Sequence, residues 1–419
     1  MTAPLLLRAR IILPVSRPPI ENGAILISGN RIRALGPCEN FSSHPAEKFC
    51  DLGEVILLPG LINAHCHLDY TNMAGEFLPP KSFTDWIKLI TAAKGGWTYS
   101  DFAQSWLNGA QMLLRTGTTT VGDFENAPEL LPEVWSATPL RVFSFLEMTG
   151  VKSRRDPQHI LDDAVKKIDS LGNFPRCIAE LAPHAPYSTV PELLRLSSQV
   201  AAARNWLLST HVAESAEEFD MFTRARGAMF KWMRRNERSM SDCGLRSPVR
   251  HLEKAGALGK NLLAVHTNYP ANGDIRLLAK RNVSVVHCPR SHDFFSHREF
   301  PLNELTKAGV NVCLGTDSLA TVKKTRGKKL ELNLFSEMQT FAKKHPGVPL
   351  ETILQMATVN GAQALNLTGQ IGELSPNALA DLVAIPFSGK ISGVFDATIQ
   401  HKGAVSASMI DGQWVIRAS

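Results

Sequence analysis

Two histidines two positions apart, His65 and His67, end the apolar run Val55-Ile56-Leu57-Leu58-Pro59-Gly60-Leu61-Ile62-Asn63-Ala64. Alternate side chains of an extended segment share a face, so both imidazoles point the same way. Such a pair at a strand end suits one divalent metal ion. His184, His211, His266 and Asp317 stand at or just after other apolar runs, and Glu214 follows His211 closely. A metal with a carboxylate beside it describes a hydrolase: the metal acidifies water and the carboxylate carries a proton.

Each residue has a candidate role and a plainer alternative. His65, His67 and His211 are candidate ligands. Asp317 is a fourth ligand, an acceptor for the nucleophilic water, or simply a cap on the next segment. Glu214 is the candidate proton shuttle; otherwise it is a helix-start carboxylate favoured by the dipole. His266 is either a further ligand or the group that polarises the substrate and positions the water. His184, in Pro183-His184-Ala185-Pro186-Tyr187, is a substrate contact or a loop histidine held by packing. Phe83 and Trp86 stack a heterocycle or pack under a loop. Arg290 and His292 lie in the unusual segment Cys288 to Phe300. An arginine there suits a carboxylate on the substrate, or forms a salt bridge that fixes the loop. Cys66 faces away from the two histidines and reads as packing.

The elements that must position these residues alternate along the chain. Apolar runs occur at Leu57 to Ile62, Thr119 to Asp123, Leu140 to Leu146, Cys177 to Leu181, Trp206 to His211, Leu262 to His266, Val283 to His287 and Val312 to Leu314. Helix-like segments separate them: Phe102 to Arg115, Ile160 to Leu171, Val190 to Arg204, Glu217 to Arg226, Asp274 to Ala279, Leu302 to Ala308 and Glu331 to Lys344. This is the α/β pattern of a closed (β/α)8 TIM barrel, whose sites lie at the C-terminal ends of the strands. The barrel is expected over residues 58–365. Short strands read from Leu5 to Ile12, Gly23 to Ser28, Arg31 to Leu35, Ala380 to Pro386, Val405 to Ile410 and Gln413 to Ile416, with hairpin turns at Gly29-Asn30 and Asp411-Gly412. Residues 1–57 and 366–419 are therefore expected to form one small β-sandwich subdomain from both chain ends. Residues 227–250 fit no barrel repeat and are expected over the mouth or at an oligomer contact. The fourth run, Cys177-Ile178-Ala179-Glu180-Leu181-Ala182, lacks the lysine that bridges two metals in hydrolases of this architecture, so a single ion is expected.

Taken together, Pro59 to His67, His211-Val212-Ala213-Glu214, His266 and Leu314-Gly315-Thr316-Asp317-Ser318 resemble the amidohydrolase superfamily. The branch they resemble holds cytosine, adenosine and guanine deaminases and the chlorohydrolases, over essentially the whole chain. The resemblance implies one zinc or iron(II) ion on His65, His67, His211 and Asp317. It implies that Glu214 protonates a ring nitrogen and that His266 sits by the water and the leaving group. The reaction implied is attack of metal-activated water on an amidine-like ring carbon, with loss of ammonia. An adenine nucleoside such as thioadenosine, adenosylhomocysteine or 6-aminodeoxyfutalosine is the expected substrate. The alternatives are hydrolysis of another cyclic C–N bond, a chlorohydrolase, and, least, a non-enzymatic barrel. After His67 the chain departs from the thioadenosine deaminase pattern with Leu68-Asp69-Tyr70-Thr71.

Composition bounds the rest. The 419 residues are 44% hydrophobic and 20% charged, an ordinary globular balance. The net charge of +6 gathers at Arg224 to Arg238 and Lys323 to Lys329 without a nucleic-acid-binding module, so no nucleic acid is expected. Seven cysteines without a paired motif argue against a disulfide framework. No signal peptide or membrane span is read, and a cytoplasmic homodimer is expected.

Overall fold

The computed structural model describes residues 3–41, 48–152, 154–324, 327 and 329–417. The basic segment Lys323 to Lys329 therefore lies partly outside the described residues. β1 (Leu5–Ile12) pairs antiparallel with β2 (Ile20–Ser28), and the Gly29-Asn30 turn leads into β3 (Arg31–Pro37). β4 (Lys48–Asp51) and β5 (Val55–Pro59) run parallel to β1. The barrel follows: β6 (Leu61–Cys66), β7 (Thr118–Glu125), β8 (Arg141–Met148), β9 (Cys177–Pro183), β10 (Leu208–Val212), β11 (Leu262–His266), β12 (Ser284–His287) and β13 (Asn311–Leu314). β14 (Leu382–Pro386) returns antiparallel to β5, followed by the hairpin β15 (Ala407–Ile410) and β16 (Gln413–Ile416). Asp411 and Gly412 both have positive φ, 53° and 73°, as a two-residue hairpin of this hand needs. Both chain ends thus share one sheet, ordered β16-β15-β14-β5-β1-β2-β3 with β4 beside β1.

The expected first barrel run divides at Gly60. Residues through Pro59 pair with β14, and the barrel begins at Leu61. The terminal sheet therefore extends past the expected boundary at residue 57. A Cβ at Gly60 would lie 2.0 Å from Thr119 Oγ1, so the crossing between the two sheets needs a residue without one.

The eight barrel strands pair in sequence order, all parallel. The first and last meet at the mouth. Thr316 and Asp317 both donate their backbone N–H to His65 O, at 3.0 and 3.1 Å. Asn63 Nδ2 donates to Thr316 Oγ1 at 2.8 Å, and Asn63 Oδ1 accepts Thr316 N at 3.0 Å. Inside, Ile62, Ala64, Phe124, Phe143, Phe145, Leu263, Val265 and Val286 fill the barrel, so it is a packed core and no pore.

The outer helices begin where local chemistry says they should. Thr98 and Asp101 form a reciprocal capping box for Tyr99–Arg115, and prolines open Pro157–Ser170 and Pro191–Arg204. Two helical segments stand over the mouth. Phe83–Lys94, capped by Ser82, was not read as a helix from sequence. Gly227–Arg235 belongs to the segment that fitted no repeat.

Two buried ionisable groups give stability predictions. Arg141 on β8 pairs with Asp381 before β14 at 3.2 Å, and Asp381 also accepts Asp411 N at 2.7 Å. This ties the barrel to the terminal sheet. Arg141→Leu strands a buried carboxylate and is expected to cost about 3 kcal/mol in urea unfolding; a loss below about 1 kcal/mol would show the tie to be slack. Glu180 on β9 accepts Leu207 N at 2.8 Å, and burial pushes its carboxyl up from 4.5 to about 8. Between those values the folded chain keeps a proton that the unfolded chain has released, so stability falls as pH rises through that window. Melting curves of Glu180→Gln should show it gaining on the wild type from about pH 4.5 to about pH 8 and level above. A constant difference across the window would contradict this.

Candidate active site

His65 and His67 leave the end of β6, His211 lies on β10, His266 ends β11, and Asp317 follows β13. All five are at most 6% exposed. The four strand ends converge on one point. His67 Nε2 and His211 Nε2 are 3.4 Å apart, and Asp317 Oδ1 stands 3.7 Å from both His65 Nε2 and His67 Nε2. Bonds of about 2.1 Å to a tetrahedral ion place neighbouring donors about 3.4 Å apart. The donor set fits a divalent ion on that ground. It fits on a second: His65 Nε2, which faces Asp317 Oδ1 at 3.7 Å, is buried without a hydrogen-bond partner. The nitrogens of His65, His211 and His266 also lie within 4.8 Å of one another, so His266 borders the same point.

Second contacts orient these groups. His211 Nδ1 lies 3.0 Å from His184 O, which turns Nε2 inward. Asp317 Oδ2 accepts from Ser291 Oγ at 2.6 Å and from Thr321 Oγ1 at 3.3 Å, leaving Oδ1 toward the histidines. Phe124 lies edge-on beneath His65 and His211, at 5.1 and 4.6 Å between ring centres.

Glu214 stands just before the helix Ala216–Arg224 and outside it, because Ala213 turns the chain with φ 50°. Its N–H donates to Glu218 Oε2 at 2.8 Å, and its Oε1 lies 3.5 Å from His266 Nε2. Left-handed φ also occurs at His266 (72°), Thr267 (51°) and Asp317 (54°). Non-glycine residues avoid this region, so backbone strain gathers at the site.

Burial sets the protonation states. It pushes His67 and His211 well below the ordinary histidine range, and neighbouring imidazoles push the same way. It takes His266 down to about 3. Burial, then the Asp317 and Glu218 carboxylates, raise Glu214 well above the carboxylate range. Burial alone would raise Asp317 too, but the facing His65, His266 and His67 rings hold it far below. The result is neutral imidazoles at His67, His211 and His266, an ionised Asp317 and a Glu214 carboxyl that favours its proton.

A cavity of about 420 Å³ opens above this point. Tyr70, Phe83, Trp86, Tyr187 and Trp232 line it, with His184, Lys94, Asn126 and Glu147. Trp86 and His184 therefore stand where the sequence placed them, although Trp86 also packs edge-on against Phe77 and Phe294. Arg290 and His292 do not line it, which corrects the expected substrate contacts. Arg290 turns outward to Glu337 and to Glu331 O, because Glu337 is buried and needs a cation. His292 faces a separate cavity with His287 and His297. What the Cys288–Phe300 segment gives the site is Ser291. Sequence reasoning missed Lys94, Asn126 and Glu147, which carry no motif. Tyr70 was marked only as part of the departure after His67; it stacks on His67 at 5.3 Å.

A parallel barrel with a histidine–aspartate cluster at its mouth and a sheet built from both chain ends is the architecture of a metal-dependent hydrolase. The chain belongs to the amidohydrolase family, whose sequence model matches residues 56–415. A 5-methylthioadenosine/S-adenosylhomocysteine deaminase of Syntrophobacter fumaroxidans is 32% identical over 388 residues, 88% of this chain and 80% of that protein. Its counterpart in Pyrococcus furiosus is 30% identical, over 87% of this chain and 81% of that one. The fold is shared with Helicobacter pylori aminofutalosine deaminase in complex with methylthio-coformycin (TM-score 0.87, 24% identity, 98% and 100% of the chains). It is also shared with a zinc-complexed atrazine chlorohydrolase of Arthrobacter aurescens (TM-score 0.83, 20% identity, 99% and 95%).

Metal analysis tests the ligand set. The purified protein is expected to carry about one divalent ion per chain, and His65→Ala and Asp317→Asn to lose it while keeping their far-ultraviolet spectra. A variant that keeps its full metal complement would remove that residue from the set.

Proposed function

We propose that this protein is a metal-dependent aminohydrolase that deaminates an adenine nucleoside. One observation carries the proposal: Glu214, buried and 3.5 Å from His266, stands beside a metal-ready cluster on the floor of an aromatic cavity of nucleoside size. The deaminase relatives support the same reading.

His65, His67, His211 and Asp317 would hold the ion, zinc or iron(II), since the same nitrogen and oxygen donors suit both. A divalent ion there supplies the acidity that makes water a nucleophile near neutral pH. The remaining steps belong to the chain. Trp86, Phe83 and Tyr187 receive the flat ring and its arm. Glu214 Oε gives its proton to the ring nitrogen beside the attacked carbon, which makes that carbon electrophilic. It then takes one proton of the water and passes it to the departing nitrogen, and as the C–N bond breaks and the C=O forms it takes back the remaining O–H proton, so that it ends protonated as it began. His266, neutral and 3.5 Å from Glu214, accepts or donates a hydrogen bond at the new oxygen. Water and the amino-heterocycle become the oxo-heterocycle and ammonia. Chloride leaves without a proton, so a carboxyl kept protonated supports ammonia as the leaving group over chloride.

Methylthioadenosine, adenosylhomocysteine and 6-aminodeoxyfutalosine are the substrates to try first. A cytoplasmic homodimer completes the proposal.

The test is ammonia release from the zinc- or iron-loaded protein, with adenosine, those three nucleosides, guanine and cytosine. One adenine nucleoside should turn over, and Glu214→Gln should lower kcat about a hundredfold or more with the metal still bound. Turnover confined to guanine or cytosine, or a Glu214→Gln variant at full rate, would overturn the proposal.

A further inference from the structure

The helix Phe83–Lys94 is a wall of the substrate cavity. It presents Phe83, Trp86, Ile87, Ile90, Thr91 and Lys94 to the space above the metal cluster. It is no part of the barrel repeat, and its outer face, with Asp85, Lys88 and Leu89, is open to solvent. Something must fix its position.

Its inner face packs on Tyr187, Phe294 and Phe295, and its N-terminus adds a directional hold. Ser82 Oγ accepts Asp85 N at 3.1 Å and satisfies one free amide of the first turn. Two others reach across the mouth. Phe83 N donates to Glu217 Oε1 at 2.8 Å and Thr84 N to Glu217 Oε2 at 3.2 Å. Thr84 Oγ1 donates to the same carboxylate. One negative side chain thus caps the positive end of a twelve-residue helix with three hydrogen bonds.

Glu217 is three residues beyond Glu214, and the next residue, Glu218, holds the Glu214 amide. The same short segment therefore presents the proton carrier with Glu214, locks its backbone with Glu218, and grips the cavity wall with Glu217. We infer that Glu217 is a positioning residue for substrate affinity: it sets the Phe83–Lys94 wall at a fixed distance from Glu214, so that a ring and its arm are held while the reacting carbon meets the acid. This rests on the nucleoside reading for the ligand, but not for the anchor.

Glu217 touches no reacting atom in this scheme, so its loss should act on binding. Glu217→Ala is expected to raise KM for the nucleoside about tenfold and to leave kcat within about twofold. Glu217→Gln keeps one acceptor and should recover part of the affinity. A residue needed only for folding would lower the melting temperature and leave KM alone. Hydrogen exchange on the metal-loaded protein without substrate gives a second readout. Exchange over residues 82–94 should rise in Glu217→Ala while residues 208–212 of the barrel stay protected. Unchanged KM against a nucleoside that the wild type does turn over, or unchanged exchange over 82–94, would overturn the inference. If the wild type deaminates no nucleoside, the functional reading fails, and the exchange measurement alone decides the anchor.

Discussion

The seam between β6 and β13 is the constraint on which the rest depends. A parallel barrel can close only where its first and last strands find partners, and here they find them at His65. The His65 carbonyl accepts two N–H groups from across the seam, and Asn63 matches Thr316 in both directions. A Cβ on Gly315 would stand 2.7 Å from His65 O, so closure at this distance requires that glycine. The residues that close the barrel are thus the neighbours of the residues that form the site. Closure delivers Asp317 to the two histidines, and the geometry of the cluster is a product of folding rather than an addition to it.

The cluster also sets an electrostatic condition. Several ionisable groups are buried together, and water is not there to solvate them all. The chain resolves this by keeping most of them neutral. His67, His211 and His266 are held unprotonated, Glu214 favours its proton, and Asp317 is ionised. That single anion among neutral donors leaves the point short of positive charge, which is the condition a divalent ion relieves. The same burial that prepares the histidines as ligands prepares Glu214 as an acid, so one physical cause yields two roles.

Much of this was legible in the sequence, and the reasons are particular. The His65/His67 spacing and the positions of His211, His266 and Asp317 after apolar runs follow from strand geometry, so their convergence at the strand ends could be read directly. The Asp411-Gly412 hairpin and the β1 limits followed from turn chemistry and alternation. Other features had no such signal. Leu57 to Ile62 looks like one strand because hydrophobicity does not register the change of partner sheet at Gly60. Arg290 sits after a barrel strand as a substrate ligand would, but its direction depends on Glu337, a buried carboxylate far along the chain. The Phe83–Lys94 helix escaped notice because Phe83 and Trp86 drew attention as aromatic contacts and not as positions on a helix. Left-handed backbone at Ala213, His266 and Asp317 is invisible to a reading that expects glycine there.

The site therefore divides by origin. Strand ends carry the histidine–aspartate cluster and Glu214, and their relative positions are set by a packed barrel that has little freedom. Helical segments between the strands carry the walls of the cavity, and these join the barrel mouth through an apolar cluster and a few polar contacts. Arg238 shows the same device as Glu217 on the other side. It is buried beside Gly227–Arg235, pairs with Asp242 at 2.8 Å, and donates to Pro186 O and Thr189 O in the loop that bears His184 and Tyr187. A charged side chain gripping backbone is a directional contact, unlike apolar packing, and it can fix a wall without enlarging the core. The walls are thus held by an apolar cluster shared with the barrel-mouth loops, to which a small number of ionic anchors add direction. Substitutions in the walls can then change what enters the cavity while the metal cluster beneath it stays as the barrel made it.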